Sequence, residues 1–122
     1  MSKKILIVED DKFLLNAYHA KFERTDFEVQ LASDGEQAIT LFKEFKPDVV
    51  LLDLIIPKIN GFDVLRQIKA DPAQKNTPVI VASNLGQKED LDQAKALGAD
   101  DFYIKSDSSI ESIVEKVSAA VR

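Results

Sequence analysis

Short apolar runs alternate with segments of helical periodicity along the whole of this chain. Four uninterrupted runs have the length and composition of strands that are buried on both faces of a parallel sheet. These runs lie at positions 5–8, 49–52, 79–82 and 102–104. Phe27, Val29 and Leu31 instead alternate with polar residues, which predicts a fifth strand nearer to the edge of the sheet.

Apolar residues at helical spacing between these strands predict five helices. The predicted helices occupy positions 12–24, 38–45, 62–68, 87–97 and 110–121. Asp11 can cap the first helix, Pro47 ends the second, and Gly98 suits the position that follows the fourth. Strands that alternate with helices predict right-handed crossovers and an α/β fold whose parallel sheet is covered on both faces.

Composition narrows the class of protein without identifying it. A chain of 122 residues suffices for one domain that buries roughly two-thirds of the surface its unfolded form exposes. The absence of cysteine excludes thiol catalysis and thiolate metal sites and fits a reducing compartment, so we expect a cytoplasmic protein. The four apolar residues between Lys4 and Glu9 are too few for a signal peptide or a membrane span. A net charge of -5 with scattered basic residues argues against nucleic acid as a partner.

Polar side chains follow four of the predicted strands. Glu9 and Asp10 follow the first strand and Asp53 follows the third. Ser83 ends the fourth strand, and Lys105 ends the fifth. Ligands of open α/β sheets bind beyond the carboxyl ends of the strands, so we expect three carboxylates, a hydroxyl and an amine to share one crevice.

Carboxylates that lie close together repel one another, and burial increases the cost, so a divalent cation or a lysine must compensate such a cluster. Mg²⁺ prefers oxygen ligands in an octahedron at about 2.1 Å and keeps some of its waters. Those water positions can be taken by the oxygens of a phosphoryl group. An aspartate within such a site can act as the nucleophile that accepts the phosphoryl group.

With these motifs in this order, the sequence resembles the receiver domains of two-component response regulators, including the stand-alone chemotaxis type, over essentially its whole length. The resemblance implies a flavodoxin-like, doubly wound (βα)5 three-layer sandwich with strand order 2-1-3-4-5. It also implies a single receiver domain over residues 1–122, either a complete regulator or a module of a longer protein.

The resemblance implies a role for each residue of the acidic motifs. Asp53 matches the phospho-accepting aspartate and Asp10 matches the direct Mg²⁺ ligand. Glu9 matches the acidic neighbour that holds the ion largely through water. The backbone carbonyl of Ile55 matches the third protein ligand, and Mn²⁺ is an acceptable substitute for Mg²⁺.

Three further residues match the parts of the family that respond to phosphorylation. Ser83 matches the switch hydroxyl that turns towards the phosphoryl group, and Phe102 matches the aromatic switch position. Lys105 matches the lysine that pairs with the phosphoryl group. The resemblance therefore implies a protein that catalyses only its own phosphorylation and dephosphorylation, and not an enzyme with turnover.

The implied partners are a histidine kinase or histidine phosphotransfer protein, which supplies the phosphoryl group, and an unknown downstream protein. A homodimer through the fourth helix, fifth strand and fifth helix is also compatible with the resemblance. No membrane partner is expected.

The sequence departs from the family pattern at three places. Lys105 is followed by Ser106 where the family usually has a cis proline, so we expect a trans bond, because a cis bond to a non-proline residue costs roughly 3 kcal/mol. Ile55 and Leu85 are apolar at positions that flank the approach of a hydrolytic water in this family. We therefore hypothesise slow loss of the phosphoryl group.

Two other functions compete with the phosphorylated receiver. A receiver fold kept only as a docking scaffold would bind its partner independently of Asp53 chemistry. A phosphohydrolase with an aspartyl-phosphate intermediate usually has a second acid two residues after the nucleophile, where this chain has Ile55. Asp11 and His19 are more simply explained as a helix cap and a surface residue than as metal ligands.

Overall fold

The computed structural model of the chain describes residues 3–121, within which five parallel strands alternate with five helices. The strands are β1 (Lys4–Val8), β2 (Glu28–Ala32), β3 (Val49–Leu52), β4 (Val79–Ser83) and β5 (Asp101–Ile104). The helices are α1 (Lys12–Glu23), α2 (Gly35–Phe45), α3 (Gly61–Ala70), α4 (Lys88–Ala96) and α5 (Ile110–Ala120). A 3₁₀ turn over Lys105–Asp107, which the sequence analysis did not predict, connects β5 to α5.

The strand order β2-β1-β3-β4-β5 confirms the predicted doubly wound topology. Val8 pairs with Leu52, and Leu52 pairs with Val81 on its other side. Because all five strands run in the same direction, their carboxyl ends lie along one edge of the sheet. β2 and β5 are the edge strands, and their residues are more exposed than those of the central strands, as the alternating pattern of β2 predicted.

Two apolar clusters, one on each face of the sheet, form the core. Leu6 and Val50 point to the face that α2, α3 and α4 cover, and Ile5 and Val49 point to the face that α1 and α5 cover. The residues of β1 and β3 therefore alternate between two buried environments, which is why both strands are continuously apolar. Full burial of each such side chain stabilises the fold by about 1.5–3 kcal/mol relative to its exposure.

The second strand and helix lie closer together than the sequence analysis expected. The predicted strand ended at Leu31 and the predicted helix began at position 38, whereas Ala32 completes β2 by pairing with Val8. Gly35 already belongs to α2, because the Asp34 side chain accepts a hydrogen bond from the Gln37 N–H at 2.8 Å and so caps the helix one turn earlier.

The predicted helix ends at Asp11 and Gly98 are confirmed. Asp11 Oδ1 accepts hydrogen bonds from the N–H groups of Phe13 and Leu14, at 2.9 and 3.2 Å. Gly98 follows α4 with a φ of +105°, a conformation that side-chain-bearing residues rarely adopt. None of the helices within residues 3–121 is long and apolar enough to cross a membrane.

Candidate functional site

Three carboxylates meet at the carboxyl edge of the sheet. One carboxylate oxygen from each of Glu9, Asp10 and Asp53 lies within 4.8 Å of the other two. Glu9 and Asp53 are buried, whereas Asp10 is exposed and forms the open side of the cluster. The Asp53 N–H donates to the Val8 carbonyl at 3.0 Å, which extends the β1–β3 pairing and brings the two acidic motifs side by side.

Lys105 compensates the two buried carboxylates of this cluster. Its Nζ donates to Asp53 Oδ2 at 2.8 Å and also to Glu9 Oε1. Burial lowers the pKa of Lys105, but the hydrogen bonds to Asp53 and Glu9 outweigh burial and raise that pKa above its ordinary value. The lysine is therefore held in its charged form between the ends of β1 and β3.

Glu9 is buried, and burial disfavours its charged form. Burial raises the pKa of Glu9, and the hydrogen bonds from Lys105 and from the Asp11 N–H offset only part of that increase. The nearby charge of Asp53 raises the pKa further. The cluster thus brings three carboxylates to the single ammonium of Lys105.

These side chains fit a divalent cation by their chemistry and their spacing. All three offer carboxylate oxygens, which are the ligands that Mg²⁺ and Mn²⁺ accept. The Ile55 N–H donates to Asp53 Oδ1 at 3.1 Å, so the backbone of Ile55 lies beside the cluster. The predicted ligand role of the Ile55 carbonyl stays a prediction.

The loop that follows Asp53 is held close to the sheet by contacts that exclude larger residues. A Cβ at Gly61 would come within 2.5 Å of the Asp53 carbonyl oxygen, so only glycine lets α3 begin this close to the site. The Gly35 N–H donates to the Pro57 carbonyl at 3.1 Å, and Lys58 Nζ lies 3.7 Å from Asp34 Oδ2. The start of α2 therefore holds the loop that follows Asp53 in place.

The predicted switch residues lie on the neighbouring strands. Ser83 is fully buried at the end of β4, and its Oγ accepts a hydrogen bond from the Leu85 N–H at 3.3 Å. Phe102 and Leu85 are half-buried and pack against the apolar cluster beneath α2, α3 and α4. The turn of Ser83 and the rotation of Phe102 remain predictions.

The peptide bond between Lys105 and Ser106 is trans, as expected for a residue other than proline. The Ser106 N–H donates to Asn84 Oδ1 at 3.1 Å. Asn84 was not predicted from the sequence, because a polar residue after a strand carries no signal of its distant partner. The buried Asp34 was not predicted either, although the spacing of Asp34 and Gln37 is that of a helix cap.

The fold and the cluster together define a flavodoxin-like α/β domain with an acidic site at the carboxyl edge of its sheet. The family described as the response regulator receiver domain matches residues 5–118. The chain belongs to this family, the receivers of two-component phosphorelay signalling.

Similar curated proteins include regulators with different overall lengths. The chemotaxis protein CheY of Thermotoga maritima is 36% identical over 107 residues, which cover 86% of this chain and 87% of that protein. The transcriptional regulator RpaA of Synechocystis is 33% identical over 119 residues, 98% of this chain but 49% of that protein. The chain spans less than half the length of this and other curated relatives.

Solved structures show the same fold at moderate sequence identity. The phosphorylated cyanobacterial phytochrome response regulator RcpA has a TM-score of 0.85 and 29% identity, over 98% of this chain and 91% of that chain. The Mn²⁺-bound response regulator Rcp1 has a TM-score of 0.82 and 28% identity, over 96% and 90%.

Proposed function

We propose that this chain accepts a phosphoryl group on Asp53 from the phosphohistidine of a histidine kinase or histidine phosphotransfer protein, in a Mg²⁺-dependent reaction. The observation that carries the proposal is the position of the Asp53 carboxylate, which lies beside Glu9 and Asp10 and accepts a hydrogen bond from Lys105. The phosphorylated and Mn²⁺-bound states of the two similar structures support this choice.

The proposed reaction uses groups that the structure places together. An Asp53 oxygen attacks phosphorus, a P–O bond forms, the P–N bond to the imidazole breaks, and the imidazole leaves with the electron pair and takes up a proton. Lys105 offers its charge to a phosphoryl oxygen without leaving Asp53. Asp10, Asp53 and the Ile55 carbonyl, with Glu9 acting through water, would hold Mg²⁺, which would supply the further positive charge that the equatorial oxygens require.

The signal passes from the phosphorylated site to a downstream protein through a change at the surface. An acyl phosphate adds charge at Asp53 and favours one of two arrangements of the neighbouring loops. We include in the proposal that the domain catalyses only its own phosphorylation and dephosphorylation, that it acts in the cytoplasm, and that any self-association uses the face of α4, β5 and α5.

Treatment with acetyl phosphate and Mg²⁺, followed by intact-mass spectrometry, tests the proposal directly. We expect the addition of one phosphoryl group to the wild type and none to Asp53→Asn. Removal of divalent cations with EDTA should abolish labelling, and added Mn²⁺ should restore it. Asp26→Asn removes an exposed carboxylate at the opposite edge of the sheet and should be labelled normally.

Two results would reject the proposal. Equal labelling of Asp53→Asn and the wild type would place the phosphoryl group elsewhere. A wild type that takes no label in Mg²⁺, but binds its partner equally well with and without phosphodonor, would support the docking-scaffold alternative.

A further inference from the structure

The loop between β4 and α4 contacts both chain neighbours of Lys105. Asn84 Oδ1 accepts a hydrogen bond from the Ser106 N–H at 3.1 Å. Two residues later, Gly86 packs against Ile104, since a Cβ at position 86 would come within 3.1 Å of Ile104 Cδ1. The loop therefore holds the backbone directly after Lys105 and packs against the side chain of the residue directly before it.

The Ser106 N–H is a donor that its own turn leaves without an acceptor. The first N–H groups of any helical turn lack partners within the turn. The 3₁₀ turn Lys105–Asp107 is preceded by Ile104, whose apolar side chain cannot cap it. Asn84 performs this capping from a different loop.

The contact also lies just beyond the last paired residues of two strands. The pairing of β4 with β5 ends at Ser83 and Ile104. The Asn84 side chain adds one hydrogen bond beyond the paired residues of β4 and β5. Its amide oxygen accepts this bond as the carbonyl of a further strand residue would. Asn84, which directly follows the buried Ser83, therefore accepts a hydrogen bond from the backbone directly after Lys105.

We propose that Asn84 is a positioning residue, which caps the turn after β5 and so aims the Lys105 ammonium at Asp53. The four-carbon stem of Lys105 has a limited reach, so a shift of the Lys105 backbone changes how well its ammonium meets Asp53. The inference rests on the proposed function, because the aim of Lys105 affects a rate only if Asp53 receives a phosphoryl group. A displacement of about 1 Å in a reacting constellation can cost up to about 100-fold in rate.

The test compares phosphorylation rates at saturating Mg²⁺ and fixed acetyl phosphate, measured by intact-mass spectrometry. Asn84→Ala should react about three- to tenfold more slowly than the wild type, the range expected from loss of one hydrogen bond. Its Mg²⁺ dissociation constant, measured by calorimetry, should stay within about twofold, because Asn84 does not contact the carboxylates. A general structural defect would lower both the phosphorylation rate and the affinity for Mg²⁺.

Two further variants make the comparison specific. Asn84→Asp keeps an acceptor oxygen for the Ser106 N–H, so the amide hydrogen exchange of Ser106 in this variant should return to within about twofold of the wild type. Gln87→Ala removes an exposed side chain from the same loop and should have no effect, because the Gln87 side chain makes no capping hydrogen bond.

A wild-type rate in Asn84→Ala overturns the proposal, and so does Ser106 amide exchange in Asn84→Asp that is as fast as in Asn84→Ala. Amide hydrogen exchange of Ser106, measured without phosphodonor, tests the capping contact separately. Exchange should be faster in Asn84→Ala than in Gln87→Ala, and equal exchange would show that the cap is absent. If the wild type takes no phosphoryl group, the proposed function fails, and this exchange measurement still decides the capping.

Discussion

At the scale of the residue, the departures from the family pattern lie around Asp53 and differ in their environments. The Ile55 side chain is 54% exposed beside the site, whereas Leu85 is half-buried and packs against the apolar cluster. Neither side chain can orient a water by hydrogen bonding. Ile55 is the better target for substitution, because a change at Leu85 would also disturb the core.

We predict that Ile55→Asn shortens the lifetime of the phosphorylated protein by roughly tenfold, equivalent to about 1.4 kcal/mol of barrier. The reason is that an amide at this exposed position can orient the hydrolytic water that an apolar side chain excludes. The measurement is the decay of the phosphorylated mass after removal of the phosphodonor. Ile55→Val is the control and should decay at the wild-type rate. Equal decay of all three proteins would refute the slow-hydrolysis hypothesis.

Tyr103 is the residue with the clearest pH dependence away from the acidic cluster. Burial and the hydrogen bond from its hydroxyl to Asp101 raise the pKa of Tyr103 to about 12, although the Lys116 ammonium lies 5.1 Å from the ring centroid. The folded protein therefore favours the neutral phenol, whose pKa in an unfolded chain is about 10. This stabilisation is complete below pH 10 and is lost as the pH rises from 10 to about 12.

We predict that Tyr103→Phe loses less stability than the wild type over this alkaline range. Urea denaturation at several pH values between 9 and 12 measures the effect. Tyr18, whose pKa burial also raises to about 12, remains in both proteins and contributes equally. Parallel loss of stability in the two proteins would show that Tyr103 titrates normally in the fold.

At the scale of the element, α1 begins directly beside the acidic site, and the two acids that precede it have separate roles. Asp10 belongs to the carboxylate cluster, whereas Asp11 caps the helix through the N–H groups of Phe13 and Leu14. Adjacent acids in one motif therefore serve different purposes. The α1 cap also holds the Asp11 backbone, whose N–H donates to Glu9.

We predict that Asp11→Ala lowers the free energy of unfolding by about 1 kcal/mol, the usual cost of a lost helix cap. Its Mg²⁺ affinity should change little, and Asp11→Ser should recover most of the stability, because serine is also a good cap. Asp10→Ala should show the opposite pattern, with weaker Mg²⁺ binding and a small effect on stability. A large loss of Mg²⁺ affinity in Asp11→Ser would assign Asp11 to the metal site.

At the scale of the whole molecule, Lys105 connects parts of the chain that are far apart in sequence. It follows the edge strand β5, yet its ammonium reaches across β4 to the ends of β3 and β1. Removing one partner of a buried ion pair leaves the other charges uncompensated, which is more costly than losing the attraction alone. A bound cation would compensate the same carboxylates.

We therefore predict that Lys105→Met lowers the free energy of unfolding by about 3–5 kcal/mol in the absence of divalent cations. The loss should be smaller in Mg²⁺, because the cation supplies positive charge to Glu9 and Asp53. Chemical denaturation with EDTA and with Mg²⁺ measures both values. Lys88→Met is the control, since the exposed pair of Lys88 with Asp92 contributes at most about 1 kcal/mol. An equal loss of unfolding free energy in EDTA and in Mg²⁺ would show that Lys105 and the cation do not compensate the same carboxylates.

Periodicity along the chain predicts the five strands and five helices to within a few residues. Apolar periodicity records which side chains are buried, and residues such as Asp11 and Gly98 record local backbone requirements. The polar residues at the strand ends also predicted the convergence of Glu9, Asp10 and Asp53, because parallel strands all end at one edge. The strand order itself came from the resemblance to a family and not from the periodicity.

Contacts between groups that are far apart in the chain, by contrast, are set by the fold as a whole. Glu9 and Lys105 are 96 residues apart, and Asn84 and Ser106 are 22 apart, yet each pair is joined by a hydrogen bond. No local pattern encodes such contacts, because they depend on the strand order, the sheet twist and the short turn after β5 acting together. The carboxylate cluster therefore follows from the sequence, whereas the aim of the lysine that neutralises it follows from the fold.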